Sequence, residues 1–437
     1  MLKTFKGGLH VPDHKEDTNK IPSREIDGAP VHIFPLHQHI GAMLDAKVSV
    51  GDYVKVGTVL ADSDAYLSVP LHSSVSGTVT DIKPYYHPSG TETTAIFVQN
   101  DFKYEQEKPA EPKRLDSMTA EEIVAVIRRA GIVGMGGAGF PTHAKLSPPK
   151  DKKVTHVIVN AAECEPYLTS DHRRLLEEPE KVAAGLRVCL KLFGLEKGYI
   201  GIEANKPDAV EKLNSLKDKR IEVVPLKTKY PQGSEKHLIK AVTGKSVPSG
   251  GLPVDAGAIV INVDTAYEIA NAFELGMPVV SRIITVAGDC IKEPCNLKVR
   301  LGTPFEFVIN AAGGYKMQPK KLINGGPMMG IAQYTDKVPT IKTTSAILAL
   351  SEAADVYDGN SPCIHCGKCV THCPMHLMPF KLARYASEND LEMCEKFHIT
   401  DCIECGLCSY LCPGKQSPVQ NIRMAKQKIV EKRRRKK

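Results

Sequence analysis

The apolar residues of this chain repeat with different periods in successive stretches. Between about 31 and 98 they alternate with polar residues in short runs that are separated by glycines, for example at 48–60 and 69–79. A period of two with regular turns is typical of short strands. This stretch therefore predicts a small all-β domain.

From 117 to 275 the pattern alternates between buried strands and helices. Strands are predicted at 154–160, 198–202, 221–225 and 258–263, and helices at 207–216 and 235–242. Such alternation favours an α/β sandwich around a largely parallel sheet. The stretch 282–324 then shifts to strands around one helix and predicts a small β-grasp module, with segments at 283–287, 297–299, 304–312 and 321–323.

Domain boundaries follow from composition and capping signals. A polar linker at 101–116 contains Pro109 and Pro112, and Thr119 with Glu122 has the form of a capping box that begins a helix. Helices are also expected at 375–387 and 391–397. We predict a multi-domain α/β chain with domains at 1–100, 117–275, 281–350 and 355–425, followed by a basic tail at 426–437.

Charge and apolar content exclude several classes of protein. The net charge of +7 comes from the six basic residues at 432–437, without which 51 basic residues balance 50 acidic ones. With no Trp and 6% aromatic residues, the chain is not expected to bind nucleic acid. The tail is expected to be a disordered, solvated end, or else to contact anionic lipid or an acidic protein. No apolar run reaches the roughly 18 residues of a membrane span, so membrane association is expected to be peripheral.

Nine of the thirteen cysteines lie between Cys363 and Cys412. A disulfide scaffold is typical of short secreted chains, and the first residues do not resemble a signal peptide, so disulfides are not expected. The runs 363–374 and 402–413 both have the spacing C-x2-C-x2-C-x3-C-P. This spacing holds [4Fe-4S] clusters in two-cluster ferredoxins.

In such pairs the fourth cysteine of each run binds the cluster of the other run. We assign Cys363, Cys366, Cys369 and Cys412 to a first cluster, and Cys402, Cys405, Cys408 and Cys373 to a second cluster. Two zinc sites are the alternative, but zinc does not account for the third cysteine and the proline of each run. Adjacent clusters pass single electrons, so the chain needs a donor and an acceptor. The other five cysteines, including Cys394, are expected to be ordinary thiols.

The run 131–142 has five glycines within nine residues. It follows a predicted helix where the dinucleotide fingerprint follows a strand, and it lacks the Gly-Lys-Ser/Thr of a Walker loop. Exposed backbone N–H groups in such loops bind anions. The run therefore predicts a site for a nucleotide or a flavin phosphate, with a flexible turn as the alternative.

The N-terminal stretch resembles the biotinyl and lipoyl carrier domains, which are flattened β-barrels. The matching halves are the runs 48–61 and 69–79. Carriers of this kind need an acceptor lysine at the hairpin tip between the halves, and the tip at 61–66 has none. The resemblance therefore implies a docking or structural domain and not a swinging arm.

The glycine run is similar to the GRGGAGFPTGxKW loop of the flavin-bearing, NADH-binding subunit of respiratory complex I. The same family's motifs resemble the runs at 159–166, 230–235 and 261–265. Within that superfamily, three further runs are similar to the C subunits of Rnf-type ion-translocating oxidoreductases, at 5–10, 38–41 and 162–167. The resemblance covers nearly the whole chain and its order of domains.

The resemblance also implies which residues bind cofactors. FMN would lie against Gly134, Gly136, Gly137, Gly139, Lys145, Asn160, Asn262 and Thr265. The nicotinamide nucleotide would be bordered by Phe140, Glu163, Glu165, Tyr230 and Glu235, and Gly233 belongs to the same cofactor-binding set. Met135 replaces an arginine of the complex I loop, and Ala162 replaces an aspartate.

The expected function is conversion between two-electron and one-electron transfer. Hydride would pass between NAD(H) and FMN, and single electrons would pass through two [4Fe-4S] clusters to other subunits of a membrane complex, with ferredoxin as an indirect partner. The expected location is the cytoplasmic face of the membrane. No catalytic side chain is expected beyond the cofactors. Two alternatives stay open: a flavin and iron-sulfur cobalamin reductase, and a cluster-only electron-wire or assembly subunit without flavin.

Overall fold

The computed structural model describes residues 2–109, 115–351 and 362–435. Parts of the predicted domains and linker lie outside the described residues, at 1, 110–114, 355–361 and 436–437. None of the helices in the described ranges combines the length and the apolar content that a bilayer span requires.

Short strands form the N-terminal domain, as the alternating pattern predicts. They are β1 (Arg24–Glu25), β2 (Val31–Pro35), β3 (Asp45–Ala46), β4 (Tyr53–Val54), β5 (Val59–Asp62), β6 (Leu71–His72), β7 (Gly77–Tyr86) and β8 (Glu92–Asn100). Two antiparallel sheets result, with the orders β2-β8-β7-β4 and β3-β5-β6. A Cβ at Gly77 would lie 1.9 Å from the carbonyl oxygen of Gln99, so this tight strand pairing requires glycine.

The central domain alternates helices and strands. In chain order they are α1 (Ala120–Arg129), α2 (Thr142–Lys145), β9 (His156–Ala161), α3 (Ser170–Glu177), α4 (Pro179–Phe193), β10 (Gly198–Glu203), α5 (Pro207–Ser215), β11 (Ile221–Leu226), α6 (Glu235–Thr243), β12 (Ala258–Asn262) and α7 (Val263–Glu274). The strands pair in parallel in the order β11-β10-β9-β12. The predicted capping box begins α1, where Thr119 and Glu122 exchange hydrogen bonds.

The prediction omitted α3, α4 and α7. Most residues of α4 and α7 are buried. The two helices pack very closely, because a Cβ at Gly185 would lie 1.8 Å from the carbonyl oxygen of Ala266. Only a residue without a side chain permits this approach.

A mixed sheet forms the next module. Its elements are β13 (Ser281–Ala287), β14 (Cys295–Arg300), α8 (Phe305–Ala311), β15 (Lys321–Asn324), β16 (Ile331–Gln333) and β17 (Ala346–Leu350). The strand order is β1-β14-β13-β17-β15-β16. Strand β1, from the N-terminal stretch, pairs in parallel with β14, and this pairing over more than 250 residues had no signal in the sequence.

Helices form the C-terminal domain. They are α9 (Lys368–Thr371), α10 (Pro379–Ser387), α11 (Leu391–Lys396), α12 (Leu407–Tyr410) and α13 (Pro418–Arg435). The expectation of a disordered basic tail is wrong as far as Arg435. Ile429 is buried against Leu382 of α10, and the Arg433 guanidinium donates to Glu395 at 2.7 Å, so packing and an ion pair extend the helix.

Candidate functional site

The glycine run forms a turn between α1 and α2. The amide of Gly134 donates to the carbonyl of Phe140 at 2.8 Å and closes the turn. Gly139 has a φ of +69°, and a Cβ there would lie 2.7 Å from Cγ2 of Thr343, so this position requires glycine. Among the described atoms, none lies within 4 Å of the place for a Cβ at Gly137. The loop therefore presents an open, side-chain-free face to an anionic group.

Two side chains hold this loop from behind. The Thr265 hydroxyl accepts from the amide of Met135 at 3.0 Å and donates to the carbonyl of Val133 at 3.2 Å. The Arg282 guanidinium donates to the carbonyl of Met135 at 3.2 Å. Thr265 is 1% exposed, so its hydroxyl shapes the loop, and its contact with FMN stays a prediction.

The two predicted asparagines lie at the carboxyl ends of parallel strands, which is the edge where such sheets bind ligands. Asn262 is the last residue of β12, and a Cβ at Gly136 would lie 2.7 Å from its Nδ2 atom. The same Nδ2 donates to Asp171 at 2.7 Å. Asn160 of β9 donates to the carbonyl of Gly233 at 2.7 Å. The structure thus places Asn262 at the glycine loop and Asn160 at the 230–235 segment, and the two asparagines are paired on adjacent strands.

Lys145 and Glu235 form an ion pair beside this edge. The Lys145 Nζ atom lies 2.5 Å from Oε1 of Glu235 and also donates to the carbonyl of Val260 at 3.0 Å. Lys145 ends α2 and Glu235 begins α6, so the pair joins two elements. A phosphate at the glycine loop would compete with Glu235 for this ammonium group.

Glu163 has a structural role in this arrangement. Its carboxylate accepts the amides of Asp171 at 2.7 Å and His172 at 3.3 Å, at the N-terminus of α3. The Lys15 Nζ atom lies 3.9 Å from the same carboxylate. A contact between Glu163 and a nucleotide stays a prediction, and it would require the exchange of these bonds.

Sequence reasoning missed a buried group of charges behind the loop. Asp264 accepts from Arg174 at 3.0 Å and lies 3.6 Å from the Arg282 guanidinium. Burial next to Glu163 and Asp264 raises the pKa of Asp171. Asp171 and Arg174 belong to the unpredicted helix α3, and their three-residue spacing on one helix face was the available signal.

The hairpin tip of the N-terminal domain docks on the central domain. The Arg128 guanidinium donates to Asp62 at 3.0 Å, and the His143 ring lies 2.9 Å from the carbonyl of Tyr66. Lys342 is buried between the two domains, and burial lowers its pKa to about 7. These contacts immobilise the tip, as a docking domain requires.

Tyr230 and Glu165 lie beside each other, and Tyr230 contacts the loop of a cluster cysteine. The Tyr230 hydroxyl donates to the carbonyl of Cys405 at 2.8 Å, and the residue is 2% exposed. Glu165 lies 3.4 Å from the same hydroxyl, and burial raises its pKa to about 7. Their roles as nucleotide ligands stay predictions, whereas the contact of Tyr230 with Cys405 of the second cluster motif is present.

A mostly apolar cavity brings together the four cysteines that were assigned to the second cluster: Cys373, Cys402, Cys405 and Cys408. Burial raises the pKa of the Cys402 thiol to about 11 and of the Cys405 thiol to about 12. Such thiols ionise when a metal centre stabilises the thiolate. Four cysteines that line one cavity are the number of ligands that a [4Fe-4S] cluster requires.

The first cluster motif lies closer to the surface. Cys363 and Cys366 are exposed, and Cys369 is the second residue of the helix α9, which packs against α12. Cys412 lies just beyond Leu411, the residue after α12, and is partly exposed. The two motifs are therefore neighbours, with the second enclosed and the first accessible.

Fold and site together match four family descriptions in chain order. They are the RnfC barrel sandwich hybrid domain at 3–103, the Nuo51 FMN-binding domain at 127–271, an SLBB domain at 283–332 and a 4Fe-4S dicluster domain at 362–416. The class of protein is thus an electron-transfer subunit that carries FMN and two [4Fe-4S] clusters. The dicluster match excludes the zinc alternative, and the FMN-binding match disfavours the cluster-only subunit.

Curated relatives then define the family. The chain is 45% identical over 434 residues to the C subunit of the Na(+)-translocating ferredoxin:NAD(+) oxidoreductase complex of Acetobacterium woodii, with 99% of this chain and 98% of that protein covered. It is 46% identical to the proton-translocating counterpart of Clostridium ljungdahlii, with 92% and 88% covered. The corresponding protein of the ion-translocating oxidoreductase complex of Rhodobacter capsulatus is 38% identical, with 99% and 84% covered.

The chain belongs to this family, the C subunits of Rnf-type ion-translocating oxidoreductase complexes. The predicted fold class, cofactors and redox role are confirmed. The barrel sandwich hybrid domain precedes the FMN-binding domain along the chain. The other subunits of a membrane complex are its partners.

Proposed function

We propose that this subunit exchanges hydride between NAD(H) and FMN, and single electrons between FMN and the other subunits, with ferredoxin at the far end of the chain of carriers. Flavin is required between the two, because nicotinamide transfers hydride and iron-sulfur clusters transfer one electron. The printed names of the relatives, which are ferredoxin:NAD(+) oxidoreductase subunits, support both redox partners.

The 230–235 segment is the observation that carries this proposal. Tyr230 touches the second cluster motif at Cys405, the carbonyl of Gly233 accepts from Asn160, which is paired with the loop neighbour Asn262, and Glu235 pairs with Lys145. The 230–235 segment therefore connects the proposed FMN site to the ligands of the second cluster. Proximity of this kind suits electron transfer between the two cofactors.

We further propose the residues that hold each group. FMN would lie on the open face at Gly137, with Gly136, Lys145, Asn160 and Asn262 around it, and NAD(H) would approach from the Phe140 side. FMN would supply the hydride chemistry, and the side chains would orient the FMN and exclude water from it. The cluster ligands would be the two sets of four cysteines assigned from the sequence. The domain limits would be those predicted from the sequence.

The order of the carriers follows from burial. The second cluster motif contacts the flavin domain through Tyr230, whereas Cys363 and Cys366 of the first motif are exposed. We propose that the first cluster faces the partner subunit. A peripheral position on the cytoplasmic membrane face is proposed on the ground that cellular NAD(H) must reach the site.

Anaerobic purification followed by an NADH titration tests this function. Two clusters predict about eight irons per chain and about one FMN. We expect NADH to bleach the flavin and then the clusters. A matched control is Cys394→Ala, which removes a buried cysteine outside both motifs and should keep all eight irons.

Reduction by dithionite but not by NADH, in protein with its full FMN content, would contradict the proposed function. Four irons or fewer in fully reconstituted protein would contradict the two-cluster assignment. The two outcomes are separable, since one concerns the nucleotide and the other the metal content.

A further inference from the structure

Three segments from outside the C-terminal domain enclose the loop that carries Cys405. The first is the turn after β9 with Glu165, the second is the segment before α6 with Tyr230, and the third is the loop 325–330 between β15 and β16. Leu407 and Tyr230 lie in one apolar cluster at 1% and 2% exposure. The second cluster motif is thus seated in a pocket that the flavin domain and the β-grasp module build together.

Hydrogen bonds hold the Cys405 loop and the 325–330 loop in this pocket. The Tyr230 hydroxyl donates to the carbonyl of Cys405 at 2.8 Å and lies 3.4 Å from Oε1 of Glu165. The other carboxylate oxygen, Oε2, accepts the amide of Met328 at 3.1 Å. Glu165 therefore links the tyrosine to the 325–330 loop, and the tyrosine links both to the backbone of a cluster ligand.

Close backbone contact also holds these two loops. A Cβ at Gly406 would lie 2.6 Å from the carbonyl oxygen of Met328, and one at Gly326 would lie 2.1 Å from Oε2 of Glu165. Both glycines are needed for this approach. The cluster loop, the carboxylate and the 325–330 loop therefore fit together with no room for adjustment.

The Tyr230 hydroxyl is not needed to fill this apolar pocket. A phenylalanine would fill the apolar pocket without the cost of burying a hydroxyl. Inside such a pocket the hydroxyl dipole is not screened by water, so it acts strongly on nearby charge. The hydroxyl has two acceptors, the Cys405 carbonyl at 2.8 Å and Glu165 at 3.4 Å, and the shorter contact is to the peptide of a cysteine ligand, where added electron density would be stabilised.

We propose that Tyr230 and Glu165 are positioning residues for the second cluster: Glu165 orients the Tyr230 hydroxyl and the Met328 loop, and the hydroxyl fixes the Cys405 peptide and raises the reduction potential of that cluster. Hydrogen bonds around the ligands are a main determinant of cluster potentials. The exposed first motif has no equivalent of this enclosure at Cys363 and Cys366. The proposal rests on the proposed function only in requiring that the second cluster be present.

The test is a redox titration of Tyr230→Phe, monitored by electron paramagnetic resonance with dithionite and mediators and without NAD(H). The signals are assigned beforehand with Cys363→Ser and Cys402→Ser. We expect the midpoint potential of the second cluster to become more negative and its signal to change shape, while the first cluster keeps the wild-type values. Tyr334→Phe, at a tyrosine that is 61% exposed, is the matched control and should change neither.

Glu165 gives a second measurement. Glu165→Gln keeps an oxygen acceptor for the Met328 amide and should stay close to wild type, whereas Glu165→Ala should shift the second cluster in the same direction as Tyr230→Phe. If the Tyr230→Phe protein does not assemble its second cluster, the redox titration of Glu165→Ala tests the proposal in its place. Unchanged potentials in both variants, or equal shifts of both clusters, would overturn the proposal.

The proposed function fails independently of this test. Cluster potentials are measured here with a chemical reductant, so they do not depend on FMN or on NADH. A protein that NADH cannot reduce but whose second cluster shifts in Tyr230→Phe would refute the function and support the positioning role.

Discussion

Arg282 offers the sharpest test of how the FMN loop is held. Its side chain is 1% exposed, lies 3.6 Å from Asp264 and donates to the carbonyl of Met135. Arg282→Met keeps the volume but removes a buried charge partner, which costs about 3–5 kcal/mol. Because Arg174 still pairs with Asp264, the lower end applies, about 3 kcal/mol. At about 2–4 °C per kcal/mol, the thermal midpoint should fall by about 6–12 °C.

Circular dichroism of the anaerobic protein measures the thermal midpoint, and flavin fluorescence after gel filtration measures the FMN retained per chain. We expect Arg282→Met to lose FMN as well as stability, because the loop carbonyl at Met135 loses its donor. The control is Arg129→Met at an exposed arginine of α1, which should stay within about 0.5 kcal/mol of wild type. An Arg282→Met protein that melts within about 2 °C of wild type and retains FMN would refute this account of the loop.

Three further predictions concern the clusters and the buried charges. Cys373→Ala should remove the second cluster's electron paramagnetic resonance signal and Cys412→Ala the first cluster's, and the reverse pattern would show that the ligands do not cross. Gly406→Ala should halve the iron content, since Gly406 has a φ of +78° and its Cβ would meet the Met328 carbonyl at 2.6 Å, and a full count of about eight irons would contradict this. Burial raises the pKa of Glu268 to about 7, so the folded state binds a proton that the unfolded state releases above about pH 4.5. Wild-type thermal stability should therefore fall relative to Glu268→Gln as pH rises from 5 to 8, and parallel pH curves would refute the shift.

Local signals predicted most of the elements. The four parallel strands and both predicted helices of the central domain are present near the predicted limits, and Thr119 with Glu122 begins α1 as expected. Each of these signals lies within a few residues along the chain, so it needs no tertiary context.

The candidate site was predicted in part. The glycine loop, Asn160, Asn262 and the pair Lys145 and Glu235 meet at one edge of the sheet, as the family motifs implied. Glu163 instead caps a helix. Motif spacing identifies which residues are present, but it does not show which partner takes each side chain.

The sequence by itself determined the cofactor chemistry of this protein. Three cysteines two residues apart, repeated with a following proline, are sufficient to indicate two [4Fe-4S] clusters, and a dense glycine run indicates an anion cradle. These signals are local because a cluster or a phosphate is held largely by adjacent residues of one loop. The tertiary structure alone decided how the two sites are joined.

That junction depends on residues far apart in the chain. Tyr230 reaches Cys405 across 175 residues, and Glu165 reaches Met328 across 163. Arg282 holds a loop that precedes it by 147 residues. Such contacts are fixed by the packing of whole domains, whose energy is spread over many side chains, and no short motif encodes them.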